Sequence, residues 1–146
     1  MVVQVLLARG AGCVMALQPA VNARLASACG HPLQASIISF ATGFLALFVI
    51  GCIFRVGVPS TEKLQSLPLW AWTGGILGTY MVTVSMLIAP KLGATRWLIL
   101  VLAAQTALAI VLDHYGWLGF AQHSFSPQRI VGVILFVVGA CLVLLR

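Results

Sequence analysis

Hydrophobic residues fill five long stretches of this chain, and polar residues gather in the short stretches between them. The apolar stretches lie at about 2–28, 33–54, 68–89, 94–117 and 128–146. Each is close to the roughly 20 mostly apolar residues that an α-helix needs to cross a bilayer. None alternates apolar and polar residues as a membrane β-barrel strand does. The pattern predicts an all-α integral membrane protein, with five transmembrane helices forming a single domain over residues 1–146.

Helix-breaking residues mark the ends of these stretches. Gly30 and Pro32 separate the first two, and Pro90 and Gly93 separate the third from the fourth, because proline removes a backbone donor and glycine ends helices readily. Between the second and third stretches, residues 59–63 read PSTEK, which favours a short surface helix. Aromatic side chains that prefer the head-group level of a bilayer flank the third and fourth stretches: Trp70, Trp72, Trp97, Tyr115 and Trp117.

Composition supports the membrane assignment and excludes several classes of function. Of 146 residues, 62% are hydrophobic and 7% charged, more apolar surface than a soluble domain of this size can bury. The eight Lys and Arg residues stand singly instead of forming the basic patch of a nucleic-acid-binding protein. The cysteines and histidines lack metal-site spacing, no catalytic triad is recognisable, and no phosphate-binding loop occurs. We therefore expect no cofactor, no metal ion and no enzymatic activity.

The basic residues are divided almost evenly between the two membrane surfaces that five spans would define. The N-terminal side receives Arg9, Arg55, Lys63 and Arg129, and the opposite side receives Arg24, Lys91, Arg96 and Arg146. Orientation normally follows an excess of Lys and Arg on the cytoplasmic side. Without such an excess, we expect insertion in both orientations, the alternative being one orientation set by a weak bias. Dual insertion favours an antiparallel homodimer, a ten-helix inverted repeat of the kind found in secondary transporters.

Polar side chains inside the spans are candidates for lining a cavity. Gln18 and Asn22 lie one turn apart on the first stretch, beside Pro19. Amides are costly in lipid and should face protein or water, so they either line a cavity or join helices by hydrogen bonds. The remaining candidates for substrate binding are Ser36, Ser39, Tyr80 and Gln105.

Asp113 is the only carboxylate within an apolar stretch. Charges at this depth usually pair, and Arg9 lies at a similar depth from the same surface, about 10 Å at roughly 1.5 Å per residue. An Arg9–Asp113 ion pair is therefore expected, with proton coupling through Asp113 or a solvated carboxylate as the alternatives.

The fifth stretch has no polar side chain between Ile130 and Leu145. A helix that is apolar all round lies in lipid or between helices, so this stretch is the predicted dimer interface. The predicted contact stripe consists of Gly132, Phe136, Gly139 and Val143.

Several motifs together resemble one family. They are G-x5-Q-x3-N over 12–22, HPLQASIISF over 31–40, WAWTGGILG over 70–78, APKLG over 89–93, Gln105, LDHYG over 112–116 and RIVG over 129–132. With these motifs the chain resembles the short, five-helix inner-membrane exporters of the YdcZ type, within the drug/metabolite transporter superfamily.

The resemblance implies a multi-pass protein of the bacterial inner membrane that equals half of a ten-helix transporter and pairs with a second copy. Small multidrug exporters of the superfamily carry a glutamate in their first helix, where this chain has Gln18 and Asn22, so export of cations coupled to protons is not implied. We expect alternating-access transport of a small or amphipathic molecule. The alternative is a non-transporting scaffold or lipid-binding protein, and membrane lipids are expected partners in both cases.

Overall fold

The computed structural model describes residues 1–123 and 126–145, and within them the regular structure is helical. The helices are α1 Val2–Cys29, α2 Pro32–Ile53, α3 Thr61–Gln65, α4 Gly74–Leu92, α5 Ala94–Tyr115 and α6 Pro127–Leu144, and 3₁₀ turns occupy Leu69–Thr73 and Trp117–Gly119. Among the described residues, five helical stretches are long and apolar enough to cross a membrane: α1, α2, Leu69–Leu92 (which includes α4), α5 and α6. The predicted all-α membrane protein with five spans is confirmed, whereas the dimer and inverted repeat stay predictions.

Most ends of the spans lie within about two residues of the predicted ends. The short surface helix appears as α3, immediately after Ser60. The predicted end of the third span at residue 89 is wrong, because α4 continues through Pro90 to Leu92. Pro90 removes the hydrogen bond that its N–H would donate to the Met86 carbonyl, and α4 continues for only two residues beyond it. Arg146, which closes the predicted fifth span, lies outside the described residues.

The N-terminal unit, Met1–Lys91, is built on a hairpin of α1 and α2. Gly30 ends α1 in the left-handed conformation, with φ of 80°, and its N–H donates to the Ala26 carbonyl over 3.0 Å. The Nδ1 atom of His31 then accepts from the Leu33 N–H over 3.2 Å and caps α2. Because only two residues join the helices, α1 and α2 run antiparallel and pack along each other.

Helix α4 packs on this hairpin near its turn. Val82 and Met86 of α4 are buried against Ala35 of α2, and side chains from the end of α1 complete the cluster: Leu25, Ala26 and Cys29. Ala35 is fully buried within this cluster. The three helices therefore meet where α1 ends, α2 begins and α4 nears its end.

The C-terminal unit, from Leu92 onward, consists of α5 and α6 packed on each other. Gly116 ends α5 with φ of 64°, and the Ser126 side chain caps α6 by accepting from the Arg129 N–H over 3.3 Å. Between them the chain folds back, because the His123 N–H donates to the Asp113 carbonyl over 2.8 Å. Most apolar side chains of both units are exposed, as expected where lipid is the solvent.

Candidate functional site

Asn22 and Ser39 join α1 to α2 inside the membrane-spanning region. The Ser39 hydroxyl donates to the Oδ1 atom of Asn22 over 3.1 Å. Asn22 is 4% exposed and Ser39 is half-buried. Asn22 is therefore buried in protein, and its partner is another predicted site residue.

A second polar contact joins α2 to α4 one turn away. The hydroxyls of Ser36 and Thr83 lie 2.8 Å apart, and the Met86 sulfur lies 3.9 Å from the Ser36 hydroxyl. Ser36 is 3% exposed. Since Ser36 and Ser39 are three residues apart, they share one face of α2. The two contacts therefore form one polar cluster, consisting of Asn22, Ser36, Ser39 and Thr83.

The cluster leaves one buried polar atom without a partner. The Nδ2 atom of Asn22 makes no hydrogen bond within the described part of the chain. Turning the amide over would pair Nδ2 with Ser39 and leave Oδ1 unpaired instead. In a medium without water an unpaired amide atom is costly. Packing alone does not account for asparagine at this position, because an apolar side chain would avoid that cost.

A groove of about 340 Å³ runs beside the cluster within the N-terminal unit. Ser39 belongs both to the cluster and to the groove, and Gln18 contributes an exposed amide to its wall. The remaining lining residues are apolar or lack a side chain: Phe40, Gly43, Phe44, Leu47 and Val82. A volume of this size lies at the lower end of the roughly 300–1,000 Å³ typical of small-molecule sites.

The cluster lies well inside the spans. At roughly 1.5 Å per residue, Ser39 is about 10 Å along α2 from Pro32, and Asn22 is about 10 Å before the end of α1 at Cys29. By the same count Thr83 lies about 14 Å before the end of α4. Ser36 is about 6 Å along α2. For a hydrocarbon layer about 30 Å thick, the depths of the cluster extend from one fifth of the way across to the middle.

A comparison with protein families accounts for the motifs of the chain. A family model described as "Putative inner membrane exporter, YdcZ" matches residues 3–142. The chain belongs to this family. No match was found among curated proteins or among solved structures. Membership confirms the resemblance and identifies a multi-pass protein of the inner membrane. It also supports transport, instead of enzymatic catalysis, as the activity of this YdcZ-type chain.

Two further predicted site residues lie apart from the groove. Tyr80 is on α4 and 71% exposed, and Gln105 is an exposed residue of α5, in the C-terminal unit. Neither lines the groove of the YdcZ-type N-terminal unit. Their role in binding substrate stays a prediction.

Asp113 forms an ion pair with Arg129 at the junction of α5 and α6. The side chains are 22% and 40% exposed, and a second nitrogen of Arg129 lies 3.5 Å from the His123 carbonyl. The charge of Asp113 is thus compensated within the C-terminal unit. The predicted partner Arg9 belongs to the N-terminal unit, and an Arg9–Asp113 pair stays a prediction. Asp113 does not need Arg9 as a counter-charge, because Arg129 already compensates its charge.

Sequence reasoning missed several residues of the site. Thr83 was visible as a hydroxyl one turn after Tyr80 on the same helix, but nothing in the sequence identified Ser36 as its partner. Phe40 and Phe44 line the groove, yet aromatic residues within an apolar stretch are equally typical of surfaces in contact with lipid. These assignments depend on how α1, α2 and α4 pack.

Proposed function

We propose that this YdcZ-type chain exports a small or amphipathic molecule by alternating access, working as an antiparallel homodimer of subunits inserted in both orientations. The observation that carries the proposal is the unpaired amide atom of Asn22, beside a groove at mid-membrane depth. A buried polar atom that has no partner among the described residues can be satisfied by a bound water molecule or ligand. Family membership supports the same conclusion.

In an antiparallel dimer, the polar clusters of the two subunits lie near opposite surfaces of the membrane. In one subunit the cluster lies closer to one membrane surface, at depths of about 6–14 Å measured along the helices. A two-fold axis in the membrane plane places the second copy equally close to the other surface. When the dimer rocks between its two equivalent arrangements, the hollow between the subunits opens first to one side of the membrane and then to the other. The even division of basic residues between the surfaces supports this arrangement.

Helix α6 is the proposed contact between the subunits. A Cβ atom added at Gly132 or at Gly139 would meet nothing within 4 Å, so this face is open to a neighbour. Val143 is 43% exposed, and Phe136 is half-buried. In lipid, small residues favour helix association because they let the backbones approach.

A lipid-binding scaffold is the competing function, and one feature favours it. The C-terminal unit has a second hollow of about 250 Å³, lined by Ile110, Arg129, Ile130, Val133 and Ile134. An aliphatic hollow of this kind suits the acyl chain of a lipid. A scaffold needs no hollow that opens to water on both sides, so access of water discriminates the two functions.

Alternating access is tested by cysteine labelling. The cysteines Cys13, Cys29, Cys52 and Cys141 are free thiols, so a cysteine-free background loses no disulfide. In this background we would fix the orientation with two added lysines: Gln65→Lys and Ser66→Lys in one version, Ser27→Lys and Ala28→Lys in the other. The two versions are expressed together, and only one of them carries Gln18→Cys.

The expected result is that a membrane-impermeant maleimide modifies Gln18→Cys from either side of the membrane, although all labelled subunits share one orientation. Val21→Cys, at an exposed apolar position of α1, is the matched control and should remain unreactive in lipid. Protection of Gln18→Cys from both sides would support the scaffold and contradict transport. If each lysine version, expressed without the other, transported as well as the two versions expressed together, insertion in both orientations would be contradicted.

A further inference from the structure

The groove of the N-terminal unit changes character along its length. At about 1.5 Å per residue, Ser39 and Gln18 lie at depths of about 10 and 16 Å from the α1–α2 turn. Phe44 and Leu47 lie at about 18 and 22 Å on the same scale. Both hydrogen-bonding side chains therefore lie in the part of the groove nearer the turn, together with Phe40, and the part farther from the turn is lined by apolar side chains alone. This arrangement matches a molecule with one polar end and one apolar end.

No charged side chain lines the groove, all of whose lining residues lie in the described part of the chain. An ion transferred to such a site would lose its hydration without gaining a counter-charge, which is costly at this depth. The complementary ligand is therefore uncharged. The groove volume of about 340 Å³ suits a single-chain molecule better than a two-chain phospholipid.

The hydrogen bond between Ser39 and Asn22 leaves part of the hydrogen-bonding capacity of the Ser39 hydroxyl for the groove. Ser39 offers an acceptor while it donates to the Oδ1 atom of Asn22, and it offers a donor if the amide is turned over. A hydroxyl group on the ligand matches either case, because it both donates and accepts. The Gln18 amide offers both a donor and an acceptor.

We propose that this groove binds an uncharged, single-chain amphiphile, with a hydroxyl-bearing head at Ser39 and Gln18 and its chain along Phe44 and Leu47. The proposal rests on the proposed function and names its substrate class. It concerns a free amphiphile dissolved in the membrane, not a phospholipid of the bilayer.

The test measures equilibrium binding to the full-length protein in phosphatidylcholine nanodiscs. Three probes share a ten-carbon chain and differ in charge: neutral 1-monodecanoylglycerol, anionic decanoate and cationic decyltrimethylammonium. The blocking variant is Gly43→Leu, since Gly43 lines the groove and an added Cβ meets nothing within 4 Å. The matched control is Gly51→Leu, which is on the same helix, has the same free space and lies outside the groove.

The neutral probe should bind saturably and at least about tenfold more tightly than either ion, given the cost of an unpaired charge in the membrane. Gly43→Leu should weaken binding by about tenfold or more, whereas Gly51→Leu should leave it unchanged, because only the former fills the space of the ligand. Ser39→Ala should weaken binding by about fivefold, the value of one hydrogen bond, and Ser27→Ala should have no effect.

Equal binding of the charged probes, or equal effects of the two glycine variants, would overturn the proposal. Absence of saturable binding in phosphatidylcholine nanodiscs would do the same, because phospholipid would then already occupy the groove. These outcomes are distinct from failure of the transport function, which is judged by two-sided labelling of Gln18→Cys without any ligand. Transport can stand while the neutral amphiphile fails as its substrate class.

Discussion

Replacing Asn22 by leucine is expected to stabilise the protein and abolish transport. Leucine is branched at Cγ as asparagine is, so it fills the same space without polar atoms. The change removes the hydrogen bond from Ser39, worth about 0.6 kcal/mol on average between membrane helices. It also removes the unpaired buried amide atom, whose cost is about 1–3 kcal/mol. The difference is a gain of about 0.4–2.4 kcal/mol in the free energy of unfolding.

The assay is reversible unfolding in mixed micelles of lipid and dodecyl sulfate, followed by fluorescence of the four tryptophans. Ser36→Ala is the matched control, because the Ser36 hydroxyl is buried and paired with Thr83. This variant should lower the free energy of unfolding by about 0.6 kcal/mol. A stabilised, inactive Asn22→Leu would show the trade-off expected of a functional residue.

The reasoning is refuted if Asn22→Leu lowers the free energy of unfolding by more than about 1 kcal/mol, a loss larger than that of one hydrogen bond between membrane helices. Such a loss would mean that a second subunit satisfies the amide and that Asn22 holds the fold together. A stabilised variant that retains full transport would equally contradict a role in the mechanism.

Three further measurements test individual contacts. A double-mutant cycle of Ser36→Ala and Thr83→Val should give a coupling energy of about 0.6 kcal/mol and no more than about 1.7 kcal/mol; zero coupling would show that the hydroxyls are not bonded. Asp113→Asn should lower the free energy of unfolding by about 1 kcal/mol more than the double variant Asp113→Asn, Arg129→Gln does, because the single change leaves a cation unpaired. Equal free energies of unfolding for the two variants would exclude the ion pair. Gly30→Ala should lower thermal stability by the equivalent of about 1–2 kcal/mol, because residue 30 is left-handed; an unchanged melting temperature would contradict that conformation.

The spans and their turns could be predicted because their signals are local. The length of an apolar stretch is set by bilayer thickness. Gly30, Pro32 and Gly93 end or begin helices at their own positions in the chain. The wrong end of the third span shows the limit of such rules. Pro90 removes one backbone donor and crowds the preceding turn, yet α4 continues through it for two more residues.

The candidate site was only partly predictable because it depends on helix packing. The sequence singled out Gln18, Asn22 and Ser39, since amides and hydroxyls in apolar stretches are costly wherever they face lipid. It did not show that Asn22 meets Ser39, which requires the register of α1 against α2. Depth alone suggested Arg9 as the partner of Asp113, whereas the contact with Arg129 depends on how the backbone folds back after α5.

The most direct test of the central claim is ligand protection of Gln18→Cys, labelled separately from each side of the membrane in subunits of fixed orientation. We expect measurable labelling of Gln18→Cys from both sides of the membrane. 1-Monodecanoylglycerol should slow both reactions, with the same half-maximal concentration, because one groove is reached alternately from either surface. Labelling from one side only, or protection on one side only, would contradict a single alternately exposed site in the N-terminal unit.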